Sequence, residues 1–323
     1  MKRTTAQILL VAAAASALSA QNQLAGPVSG FVFDAPARVL RPILGIPGAS
    51  LVGDPLGSAA DVQAAYVAPR QDSALLVTSS ARFVRLNSAG AAPLACGGLA
   101  ERPEAVVFSP SGTSAAVYAA GRVQIVSGLP DAPAVSAELP LTLGRRRAPQ
   151  ASPARGRHPA TASFAVSDDG RYLLAAIGGS IRLYGTSGEN FSIMDAGLAP
   201  LMAFAPGGHD AAIADASSGI TLVRDVAGAA VRTALAVEGE TARPAGLAFS
   251  ADGGRLLFAA SSAVTAFDLR SGSRSVTVCD CEPAGLFPMG GLFRLNELGA
   301  GPLWLYDPRG DAPRFVFVPA RTE

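Results

Sequence analysis

Lysine is almost missing from this chain. Lys2 is the only one in 323 residues, so the basic residues are otherwise arginine. Histidine is scarce too, with only His158 and His209. Charged residues make up 16% of the chain, and the formal net charge is +1. Lys2 and Arg3 fall in a leader-like segment. Without them 24 Arg (26 − 2) stand against 25 Asp and Glu. A near-neutral body lacks the field that general nucleic-acid or anionic-membrane binding needs, so no nucleic-acid partner is expected.

Long apolar runs are also lacking beyond the first 20 residues, so no transmembrane segment is expected in the mature chain. Residues 1–20 read MKRTTAQILLVAAAASALSA. Lys2 and Arg3 start it, Ile8 to Ala15 form a short apolar centre, and small residues follow. This is the pattern of a secretory signal peptide, with cleavage after Ala17, Ser19 or Ala20. The expected mature unit is a single domain over 21–323, exported to the periplasm, the cell surface or the exterior.

Cysteine is sparse. Cys96, Cys279 and Cys281 make an odd number, which leaves at least one thiol without an intrachain partner. The Cys-Asp-Cys at 279–281 has three readings: a local disulfide, a soft-metal site helped from elsewhere, or a reduced structural pair. A single Cys-x-Cys is poor material for zinc, which wants four ligands. A structural or incidental role is favoured, and neither metal nor cofactor is expected.

Glycine and proline, at 35 and 24, are plentiful, and they punctuate a repeat. AVVFSPSG (105–112), SFAVSDDG (163–170), LMAFAPGG (201–208) and GLAFSADG (246–253) align on their turns. AAYVAPRQ (64–71) and AGLFPMGG (284–291) are looser copies. The anchors Val67, Phe108, Val166, Phe204, Phe249 and Phe287 are spaced 41, 58, 38, 45 and 38 residues apart. A period near 40 marks a repeat architecture. Each copy runs from an apolar strand through a turn to a second strand, such as RYLLAAI (171–177) or RLLFAAS (255–261). A third, alternating strand and a fourth run complete it, as in AVTAFDL (263–269) and RSVTVC (274–279). Asp before Gly suits a tight turn where φ becomes positive. Four short strands cannot bury both faces alone, whereas sheets stacked radially cover one another. The expected fold is therefore all-β, a β-propeller of four-stranded blades.

Strand, S-x-D-G turn, strand and V-x-V-like strand together resemble the bacterial YVTN-type and WD-repeat-like propellers, including the Tol-Pal-associated kind. The resemblance covers most of residues 61–320 and implies a fold, with no particular ligand. The Trp-Asp dipeptide and structural histidine of eukaryotic WD repeats are absent.

Six repeats are visible. GFVFDAPARVLRPILGIPG at 30–48 reads as a third and a fourth strand without the first two. It either joins SLVGDPL (50–56) in an irregular seventh blade or completes the last blade of a six-bladed ring. Seven blades are expected. The long third interval holds LGRRRAPQASPARGRHPAT at 143–161, read as a loop insertion. Arg145, Arg146, Arg147, Arg155 and Arg157 make it a candidate grip for an acidic protein, a phosphate or an anionic glycan. The plainer reading is a solvated insertion.

Catalytic constellations are nearly absent. No nucleophile elbow or phosphate loop is present. Asp168 and Asp169 share one turn and cannot flank a substrate. Asp210, Asp252 and Glu282 sit near strand junctions, which suits turn formation. Arg182, Arg224 and Asp268 end third strands, where surface placement accounts for them. Trp304 and Tyr306 share a strand face and are expected to pack between blades. No catalytic residue is assigned. The expected function is a monomeric, non-catalytic binding scaffold with a protein or glycan partner. The alternative is a secreted hydrolase or lactonase with an axial active site.

Overall fold

A computed structural model describes residues 26–57, 61–88, 90–141, 163–197, 199–236, 244–310 and 312–321. The signal-peptide segment and residues 143–161 lie outside them. All regular structure among the described residues is strand. Blade 1 holds β1 (Val28–Asp34), β2 (Val39–Ile46) and β3 (Ala49–Val52). Blade 2 holds β4 (Ala64–Val67), β5 (Ser73–Val77), β6 (Ala81–Asn87) and β7 (Gly90–Leu94). Blade 3 holds β8 (Ala105–Phe108), β9 (Ser114–Ala119), β10 (Arg122–Ser127) and β11 (Ala134–Pro140). Blade 4 holds β12 (Phe164–Val166), β13 (Tyr172–Ile177), β14 (Ser180–Gly185) and β15 (Asn190–Asp195). Blade 5 holds β16 (Leu201–Phe204), β17 (Ala211–Asp215), β18 (Gly219–Arg224) and β19 (Val231–Ala236). Blade 6 holds β20 (Pro244–Phe249), β21 (Arg255–Ala260), β22 (Ala263–Asp268) and β23 (Arg274–Val278). Blade 7 holds β24 (Phe287–Met289), β25 (Leu292–Arg294), β26 (Leu303–Asp307) and β27 (Arg314–Val318).

Each sheet is an antiparallel meander, and the seven close into a β-propeller. The core lies between blades. In β5, Leu75 packs against blade 3, while Ala74 and Leu76 pack against blade 1. In β21, Leu256 and Phe258 face blade 5, while Leu257 and Ala259 face blade 7. Alternate side chains enter different interfaces, so second strands have no wet face and read as continuous apolar runs. Outer strands keep the alternation, as β11 does with exposed and half-buried residues in turn.

The anchor positions behave as equivalents in part. Val166, Phe204 and Phe249 are buried against the preceding blade. Phe108 is only half-buried, beside Phe83 in an edge-to-face contact with centroids 6.3 Å apart. Trp304 and Tyr306 both pack toward blade 6, as their shared face requires.

Blade 1 departs from the others: among the described residues it has three strands where each other blade has four. Its first turn lies beside the start of β4, where the Val62 N–H donates to Arg38 O at 2.9 Å. The beginning of β1 lies at the other end of β4, where the Phe31 N–H donates to Gln71 Oε1 at 2.7 Å. β1 therefore runs opposite to the inner strand β4. β1, β2 and β3 have the directions of second, third and fourth strands, and no innermost strand of this blade occurs among the described residues. This corrects the sequence expectation. The 30–48 hairpin supplies a second and a third strand, and the segment from Ala49 supplies the fourth. The seven-bladed expectation stands.

Candidate functional site

The first turns of blades 3, 4 and 6 are built by local chemistry. The N–H of its fourth residue donates to the carbonyl of its first. This bond is 2.9 Å for Gly112 to Ser109, 3.0 Å for Gly170 to Ser167 and 2.8 Å for Gly253 to Ser250. The fourth residue is left-handed, with φ of 72°, 68° and 69° at these glycines. Ser and Asp then lock the corner. Ser167 Oγ donates to Asp169 Oδ1 at 2.6 Å, and the Tyr172 N–H returns to Ser167 Oγ at 3.0 Å. Ser250, Asp252 and the Arg255 N–H repeat the arrangement in blade 6. Blade 2 has Gln71 in the glycine position, at φ 65°.

These turns meet on one face of the ring. The Asp168 carboxylate receives the Ser111 N–H on Oδ1 and the Gly207 N–H on Oδ2, both at 2.7 Å. One aspartate thus ties blades 3, 4 and 5. Asp169 also reaches blade 5, 3.0 Å from His209 Nε2, and the His209 ring stands edge-on to Tyr172 at 4.7 Å. The two side chains are 38% and 31% exposed. Residue spacing did not reveal this pairing, because the partners lie 40 positions apart on successive blades.

Four aspartates of this face are pushed toward the ionised form. Burial opposes ionisation of Asp169, but the Ser167 hydroxyl, the Arg171 N–H and His209 outweigh it and keep the carboxyl below its usual range. The Ser250 hydroxyl and the Gly254 N–H do the same for Asp252. Asp307 is opposed by burial and held down by Arg309, with Arg314 adding charge. Asp268 is lowered by the Ser271 N–H and hydroxyl. Of the third-strand charges, Arg182 bonds Asn190 Oδ1 and Arg224 pairs with Asp210. No group of three His, Cys, Asp or Glu able to hold a metal occurs among the described residues.

A cleft of about 430 Å³ opens on the same face at the seam between blades 7, 1 and 2. Its floor is the first half of β1, and Arg70, Gln71, Asp72 and Arg309 stand on its walls. Gln71 spans the seam. Its Oε1 takes the Phe31 N–H, while its Nε2 reaches Ala68 O at 3.1 Å and Pro288 O at 3.5 Å. The Gly290 N–H donates to Pro69 O at 2.9 Å, joining blade 7 directly to blade 2. The looseness of the AAYVAPRQ repeat was the sequence's only hint of this seam, since Gln stands there where other copies have Gly.

The arginines of 143–161 lie outside the described residues. The chain leaves blade 3 for them after Leu141, whose N–H donates to Gly121 O at the far end of β10 from the Ser127 side. That departure point is on the face opposite the turns. Cys279 and Cys281, read as structural or incidental, are joined in a disulfide between blades 6 and 7, and Cys96 is free.

No family model matches this chain, and no curated protein matches its sequence. Solved structures do resemble it. A Desulfotomaculum acetoxidans protein of unknown function is 14% identical with TM-score 0.56, covering 91% of this chain and 100% of that one. A provisionally named 6-phosphogluconolactonase of Bacteroides uniformis is 14% identical with TM-score 0.57, covering 90% and 96%. Hydrazine synthase of Kuenenia stuttgartiensis is 12% identical with TM-score 0.51, covering 92% and 98%. The chain is a seven-bladed β-propeller. At these identities the likeness extends to the fold alone.

Proposed function

We propose that the protein is an exported, non-catalytic propeller of the YVTN-type and WD-repeat-like kind, acting as a binding scaffold. One observation carries this reading. The carboxylates of the turn face are spent on the architecture, as Asp168 shows by bonding backbone N–H groups of two neighbouring blades. A general acid needs a carboxyl whose pKa is raised toward the working pH. The shifted aspartates here move the other way. The leader pattern of residues 1–20 supports export.

The arginines at 145, 146, 147, 155 and 157 supply a contact surface in this reading, suited to an acidic protein or glycan. Deleting 145–157 and closing the gap with a short Gly/Ser linker should leave the melting transition intact and abolish retention on a polyanionic resin. Unchanged retention would remove these residues from the proposal.

The rival is a lactonase, which draws on the likeness to the provisionally named 6-phosphogluconolactonase and on the Asp169–His209 pair. Incubation with 6-phosphogluconolactone, followed by acid release at constant pH, separates the two. The scaffold reading expects the uncatalysed rate. Turnover that disappears in Asp169→Asn and His209→Ala would overturn it.

A further inference from the structure

We propose that the outer edge of β27 pairs antiparallel with β27 of a second copy of this chain, joining two blade 7 sheets about a two-fold axis. The pairing does not depend on the scaffold reading. β27 is the outermost strand of blade 7 and pairs on one side with β26. Alternate N–H and C=O groups along it point outward, and none of them bonds another backbone group among the described residues. Other outer strands are guarded. β7, β11 and β19 carry Pro93, Glu138 and Arg232 within them, and such residues discourage strand addition. β27 reads RFVFV, with Arg314 at its start and only apolar residues after it. Phe317 is 52% exposed. An exposed apolar edge of this kind is a template for another strand.

The residues say which strand fits. Phe315-Val316-Phe317 reads the same in both directions, so a two-fold copy presents the pattern that it meets. Centred on Val316, the pairing sets Phe315 opposite the second copy's Phe317 and Arg314 opposite its Val318. The two arginines then lie at opposite ends and do not repel. The rings line up as well. Within one chain Tyr306 stands 5.2 Å from Phe315, and Trp304 stands 5.6 Å from Phe317. Pairing extends each couple to a row of four rings across both sheets, and cross-strand aromatic contacts stabilise sheets. The other face is covered too. Val316 turns toward blade 1, beside Gly48. There an apolar groove of about 480 Å³ lies between residues 48–51 of blade 1 and residues 315–317 with Pro319 of blade 7. The second copy's Val316 enters the mouth of this groove near Leu51, which is 57% exposed.

The test is sedimentation velocity of the full chain from about 1 to 500 µM, because a five-residue pair is a small interface and associates weakly. A monomer–dimer equilibrium is expected. Phe317→Lys should weaken it by about tenfold or more, since a charge on the edge opposes pairing. Val278→Lys, on the 74% exposed edge of β23, should leave it unchanged. Cysteine variants on a Cys96→Ser background test the register. Val316→Cys should oxidise to a covalent dimer, because opposite Cα atoms of a strand pair lie about 4.5–5.5 Å apart. Arg314→Cys should not, because its two copies lie roughly 14 Å apart along the pair. If Phe317→Lys does not fold, the cysteine variants decide. A chain that stays monomeric throughout, a dimer indifferent to Phe317→Lys, or equal cross-linking at 314 and 316 would overturn the inference. A monomer that instead binds a labelled valine–threonine heptapeptide saturably would assign the edge to a foreign strand and overturn it as well.

Discussion

Gln71 Oε1 accepts a hydrogen bond from the Phe31 N–H at 2.7 Å, joining blade 2 to the inner edge of blade 1. Phe31 is 5% exposed, so its N–H has little access to water. Gln71→Ala should therefore cost about 1–3 kcal/mol, the penalty of an orphaned buried donor. Gln71→Gly would relax the left-handed backbone, recovering about 1 kcal/mol against alanine. Urea unfolding of the pair measures both effects. Equal stability of Gln71→Ala and the parent would mean that the seam does not depend on this bond.

Gly170 and Gly178 both have positive φ, at 68° and 61°. A Cβ on Gly170 would lie 3.0 Å from Ser114 Oγ and closer still to Ser127 of blade 3, whereas one on Gly178 meets nothing within 4 Å. Gly178→Ala should lose only the left-handed strain, about 1–2 kcal/mol. Gly170→Ala should lose about 1–3 kcal/mol more, because it also pushes two blades apart. Thermal melts of the two variants side by side test the difference. Equal losses would show that the turn does not press on blade 3.

Phe204 is 1% exposed and Phe108 is half-buried, although they are equivalent in the repeat. Phe204→Ala should destabilise by about 3–5 kcal/mol, and Phe108→Ala by less, since part of its surface already meets water. Denaturant midpoints at constant m-value give the ranking. A larger loss for Phe108 would contradict the packing described.

Acid should weaken the ring in a defined window. Asp169, Asp252 and Asp307 have folded pKa values below their ordinary 3.8. The stability they contribute is present above the unfolded value and is lost as pH falls through the folded values. Melting temperature should thus hold from neutral pH down to about 5 and decline below about 4. Asp307→Asn should shrink that decline more than Asp268→Asn, because Asp307 is buried between Arg309 and Arg314 while Asp268 is only half-buried. A decline that begins above pH 5 would point to other groups.

The blade unit was legible in the residues because its causes are local. A left-handed fourth position calls for Gly, Ser and Asp close a corner within five residues, and a strand buried on both sides reads RLLFAA. Repetition every 40 residues or so then implied stacking, since no copy can bury its own faces. The disulfide was one of several open readings, because adjacency in sequence does not say whether two thiols face each other.

What lies between blades was decided only by the tertiary structure. Asp168 looks like any turn aspartate until the ring brings Ser111 and Gly207 to its two oxygens. His209 looks solitary until Asp169 of the previous blade reaches it. The direction of β1, and with it the place of its strands in the blade, follows from where Arg38 and Phe31 find partners in blade 2. Local steric and hydrogen-bond preferences are written into five or six consecutive residues. Contacts between blades depend on how seven sheets share one circumference, and that closure is a property of the whole ring.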